Sequence, residues 1–102
     1  MGIERTPPVL AGTGTVTQVA SSATVVNLLV ANVGRLGVVI ENVSTAILYV
    51  KFGATATTTS FTYLMAANTR LDLRQARVEY TGLITGIWAS ANGNAYVTEL
   101  TA

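Results

Sequence analysis

A chain of 102 residues with 11% charged residues, a net charge of +1, and neither histidine nor cysteine leaves little room for chemistry. The near-balanced charge excludes the electrostatic footprint of a nucleic-acid binder. The missing cysteines exclude a disulfide framework and thiolate catalysis. The missing histidines remove the commonest general base and metal ligand, with every Ser-His or Cys-His pair.

That length is one domain. No catalytic residue, metal or cofactor is expected, and the chain reads as a non-enzyme. The five carboxylates (Glu4, Glu41, Asp72, Glu79, Glu99) are scattered through the sequence. Hydrophobic residues make up 50% and mean hydropathy is +0.49, whereas ordinary domains are about 25% charged. Such an exterior points to burial against copies of itself or another protein; a Thr-rich surface that needs no partner is the alternative. The longest apolar run, residues 25–31, is interrupted by Asn27 and falls far short of the ~20 residues of a membrane span. Glu4, Arg5 and two prolines do not fit a signal-peptide core.

Residues 1–13 read as an extended arm that precedes a β-domain over 14–102. Pro7 and Pro8 fix φ and push the preceding residue out of helix. Ile3, Val9 and Leu10 offer apolar anchors, and Glu4 and Arg5 can pair with a partner's charges. A pre-extended segment loses less chain entropy on docking, so the arm is a candidate attachment element.

Residues 14–20 (GTVTQVA) and 23–31 (ATVVNLLVA) predict two strands, the second with Val26, Leu28 and Val30 on one face. Residues 35–53 (RLGVVIENVSTAILYVKFG) predict a hairpin that turns at Asn42-Val43-Ser44-Thr45, because Asn and Ser bond their own backbone at turns. Leu48, Val50 and Phe52 share one face of its second strand. Residues 53–60 predict a small-residue loop. Residues 61–65 predict a strand with Phe61, Tyr63 and Met65 on one face. Residues 70–74 alternate Arg70, Asp72 and Arg74 outward with Leu71 and Leu73 inward, the pattern of an edge.

Arg70, Arg74 and Arg77 form a local basic run. It reads either as a contact for an acidic partner or as a solvated strand face. Residues 82–89 (GLITGIWA) predict a central strand in which Gly86 admits a close neighbour and Trp88 belongs to a core or an interface. A sugar-stacking role for Trp88 is the rival. Asn92-Gly93-Asn94 predicts a tight hairpin turn into a last strand, residues 95–100. About eight short strands at this spacing predict an antiparallel β-sandwich of jelly-roll type.

Three segments carry a resemblance: RLGVVIENVSTAILYVKFG, SFTYLMAANTRLDL and YTGLITGIWASANGNAYVTEL. Arginine, an apolar strand, Asn, a small polar turn and a strand ending in Gly are followed by Phe-Thr, Tyr-Thr-Gly, Gly-Ile-Trp and Val-Thr-Glu. In this pattern residues 35–100 resemble small structural proteins of bacteriophage particles. The resemblance implies a capsid decoration (cement) protein on the virion surface, assembled in the host cytoplasm and bound to the major capsid protein or other virion proteins. It also implies a homotrimer. A neck, tail or fibre component is the alternative, and a carbohydrate-binding module a more distant one. No nucleic-acid or membrane partner is expected.

Overall fold

The structure, a computed structural model, describes residues 10–102. Eight strands follow in order: β1 (Thr13–Ala20), β2 (Val26–Leu29), β3 (Gly37–Ser44), β4 (Leu48–Phe52), β5 (Tyr63–Met65), β6 (Arg70–Asp72), β7 (Ile84–Trp88) and β8 (Gly93–Thr101). They form two antiparallel four-stranded sheets, β1-β8-β3-β6 (sheet A) and β2-β7-β4-β5 (sheet B). This order is that of a jelly roll. The chain is one long hairpin with β4–β5 at its tip. β3 pairs with β6, β2 with β7 and β1 with β8 along its arms, and the whole hairpin is rolled so that alternate pairs fall in opposite sheets.

The predicted fold class holds, and so does the alternation that led to it. Val38 and Ile40 of β3, Leu48 and Val50 of β4, and Ala95 and Val97 of β8 point into one core with Leu28, Met65, Leu73, Ile84 and Trp88. Full burial of one such aliphatic side chain contributes about 1.5–3 kcal/mol. Gly86 lies opposite Val50, and a Cβ there would stand 2.9 Å from Leu28 Cδ1 and 3.1 Å from Leu48 Cδ1. Aliphatic side chains make the close approach there.

Strand partnership departs from the sequence reading. β3 and β4 are not a hairpin: they lie in different sheets. Asn42, Val43 and Ser44 are not a turn but the last residues of β3, paired with Ala95, Asn94 and Gly93. The Asn-Gly pair likewise makes no hairpin, because β7 and β8 also lie in different sheets. Gly93 is needed for space instead: a Cβ would collide with the Val43 carbonyl and stand 2.7 Å from Ser44 Cα. Gly93→Ala is therefore expected to destabilise the protein by about 1–3 kcal/mol, read as a lower urea midpoint with an unchanged m-value.

β2 is shorter than expected, and its register with β7 shifts between Asn27 and Leu29. Beyond that irregularity Val30 turns out to solvent at 67% exposure and does not share the core with Leu28. Phe61 precedes β5 and packs edge-on against Tyr49, with ring centres 5.0 Å apart, away from the inward Tyr63 and Met65. In the loop after β4, Ala56 is buried. Its amide donates to Thr85 Oγ1, which donates to the Gly53 carbonyl.

Candidate interaction surfaces

Two networks of inward-facing polar residues lie at opposite ends of the sandwich. Arg35, just before β3, has a side chain only 1% exposed. Its Nε donates to Glu99 Oε2 of β8 at 2.9 Å. Its Nη1 donates to the carbonyls of Tyr80 and Gly82, and its Nη2 to that of Val30. Asn32 Nδ2 donates to the other Glu99 oxygen. One guanidinium thus ties β8 of sheet A to the segments that enter and leave sheet B. A fork of fixed donors suits this better than an ammonium would.

At the other end Asn42 Oδ1 accepts from Trp88 Nε1 at 3.1 Å and from Ser44 Oγ at 2.8 Å. Asn42 Nδ2 donates to the carbonyls of Ala46 and Ala66. Among the described residues no buried side-chain nitrogen or oxygen lacks a partner, as a specified core requires. Tyr80 stacks on Phe52 at 4.4 Å and bonds the Leu83 carbonyl. Its hydroxyl lies 2.5 Å from where a Gly82 Cβ would be, so the Tyr-Thr-Gly segment is a packing unit. Trp88 is buried at 1% exposure and is core; no sugar ring can stack on it.

The expected site residues divide. Ile3, Glu4, Arg5, Pro7, Pro8 and Val9 lie outside the described residues. Leu10 is described and is 78% exposed. The arginines do not form one strand face. Arg70 lies on the outer face of sheet A, where its Nε stands 3.8 Å from Glu41 Oε1 with both side chains well exposed. A pair of that kind is worth little. β6 ends at Asp72, so Arg74 falls in the following turn, where it donates to the Leu36 carbonyl and packs over Gly37. Arg74 and Arg77 line an open cleft of about 550 Å³ with Val33, Leu36, Val78 and Glu79.

Arg77 closes that turn. Val78 N bonds Leu73 O and Arg77 N bonds Arg74 O, which places Arg77 at the left-handed position of a Schellman motif, with φ 60°. Glycine is the usual residue there. Arg77→Gly is expected to raise stability by about 1 kcal/mol, measured by chemical denaturation.

Two surfaces emerge that the motifs do not mark. On the outer face of sheet A, register aligns Val16, Thr98, Val39 and Asp72 in one row, and Gln18, Tyr96, Glu41 and Arg70 in the next. Val16, Val43 and Tyr96 are exposed there. On the outer face of sheet B, Leu64, Tyr49 and Ile87 align, with Phe61 against Tyr49; Leu64 is 52% exposed. The signal was present in the sequence: along these strands the residues opposite the core are Val, Tyr, Leu and Ile more often than charged ones. Among the described residues no group of three His, Cys, Asp or Glu could hold a metal ion. No family model, curated protein or solved structure matches the chain.

Proposed function

We propose that this protein is a structural component of a bacteriophage particle: a decoration (cement) protein that binds the outer surface of the head and bridges neighbouring capsid subunits. The observation that carries this reading is the exterior of the sandwich. Both outer sheet faces present aliphatic and aromatic side chains, Val16, Val43 and Tyr96 on one and Phe61 and Leu64 on the other. Charge on the strands of these faces is confined to Glu41, Arg70, Asp72 and Lys51. Exposed apolar surface of this kind suits protein contact. The residues that carry the phage resemblance, Arg35, Asn42, Tyr80, Trp88 and Glu99, bond internally. They support the reading as markers of a shared fold.

The physical role is mass action. A protein that binds the assembled shell better than free subunits shifts the balance toward the shell. The test is to isolate particles from cells that make this protein and from cells that lack its gene. Many copies spread over the head, with earlier thermal release of DNA when they are missing, is the expected result. A few copies at one vertex would assign it to the neck, tail or fibre. Its absence from purified particles would overturn the reading.

A further inference from the structure

A β-sandwich has four sheet edges, and three of them here are blunted. β5 and β6 are three residues long, and β6 carries the Arg70–Glu41 pair. β2 has four residues and an irregular register. These are the usual protections: natural sheets shorten, charge or distort their edges because an open edge is a template for another strand. β1 has none of them. It runs for eight residues, TGTVTQVA, without a charge or a proline. Its register with β8 is unbroken from Thr13↔Thr101 to Ala20↔Asn94. Among the described residues β8 is its one neighbour in the sheet, so its alternate backbone N–H and C=O groups that point away from β8 have no strand partner there. Seven of its eight residues are exposed. Among the described residues, Val19 of its inner face packs partly against the core, and its outer-face residues are all exposed.

We propose that the free edge of β1 pairs antiparallel with β1 of a second copy, joining two four-stranded sheets into one continuous sheet. Charge selects this occupant. An uncharged edge matches an uncharged strand, because an ion brought against it would lose water without gaining a partner. A second β1 meets that condition along its whole length, and no antiparallel register sets like charges opposite each other. A two-fold axis normal to the sheet keeps the outer faces on one side. Val16, 61% exposed, then meets Gly14, Val16 or Gln18 of the other strand, all small or flexible enough to pack. The three blunted edges offer no run of comparable length. β1 therefore matches itself, and a self-matched edge closes as a pair. The expected solution species is a dimer, in place of the trimer that the resemblance implies.

A strand edge about 27 Å long lies at the small end of protein interfaces, below about 1,200 Å². Pairing is therefore expected to be concentration-dependent, and crowding of copies on one surface would promote it. The proposal rests on the strand and not on the particle reading, and its test needs no particle. Sedimentation of the full chain from about 1 to 500 µM spans the range expected for so small an interface. The apparent mass is expected to double across it. At the upper end the β1 amides that point away from β8 are expected to exchange with deuterium at least tenfold more slowly than at the lower end. Val16→Lys, at an exposed position, is expected to leave circular dichroism and melting unchanged at the lower end of the range, where the wild type is monomeric, and to abolish both effects. A monomer throughout overturns the proposal. So does a dimer indifferent to Val16→Lys, or a trimer. Protection of the outward amides that is already complete at the lowest concentration also overturns it, since the edge is then covered within one chain.

Discussion

Replacing Arg35 with Met is expected to cost the fold about 3–5 kcal/mol, the usual penalty for removing one partner of a buried ion pair. The change leaves the Glu99 carboxylate with Asn32 as its remaining side-chain donor among the described residues. It also strips a donor from the carbonyls of Val30, Tyr80 and Gly82. Each orphaned acceptor carries a desolvation penalty of roughly 1–3 kcal/mol unless water reaches it. Against a total stability of about 5–15 kcal/mol, the loss is large enough to threaten folding at growth temperature. Thermal and urea unfolding followed by circular dichroism will show it. Glu99→Leu alone should be similarly costly, and the double variant should lose less than the sum of the two. Strict additivity in that cycle, or a loss under about 1 kcal/mol from Arg35→Met, would mean that the network does not hold the two sheets together.

Trp88→Ala is expected to cost about 3–5 kcal/mol through the cavity it leaves between the sheets. Two variants separate packing from bonding. Trp88→Phe keeps most of the ring volume and deletes the Nε1–H that Asn42 Oδ1 accepts. It should cost less, about 1–2 kcal/mol, because Asn42 Oδ1 still accepts from Ser44. Asn42→Leu removes the acceptor and should orphan the Trp88 donor, so adding Trp88→Phe to it should cost little more. Urea midpoints rank the three. A Trp88→Phe loss as large as that of Trp88→Ala would assign the effect to the hydrogen bond rather than to volume.

These two residues also mark where the sequence could be read and where it could not. Strand existence was legible because the core demands strict alternation, as at Val38 and Ile40 or Ala95 and Val97. Partnership was not. Asn42 has the chemistry of a turn, but here its side-chain oxygen accepts across the sandwich from Trp88; Ser44 does bond locally to Ala46, yet it does so while paired with Gly93 at the end of β3. Gly93 looks like a hairpin glycine, yet it makes room for the Val43 carbonyl and Ser44. Both misreadings assume that neighbours in sequence pair with each other, and in this topology that is true of β4 and β5 alone. The surface followed the same divide. Arg74 and Arg77 were visible as cations, and the structure sets them on one cleft. The open edge of β1 was invisible, because no local pattern reveals which strand lacks a second neighbour.

The rolled hairpin has a consequence for how the chain emerges from the ribosome. β8 lies between β1 and β3 in sheet A, although every other strand is made before it. Until β8 leaves the exit tunnel, sheet A has no centre: β1 has nothing to pair with, and β3 holds only the three-residue β6. The tip can close early, since Leu48 and Met65 are near in sequence, but Thr13 must wait for Thr101. Pairings so far apart in sequence make folding slow, on the scale of milliseconds to seconds. During that interval the uncharged β1 is exposed on both edges, so the nascent chain is most prone to mispairing with its neighbours on the same message until β8 has emerged.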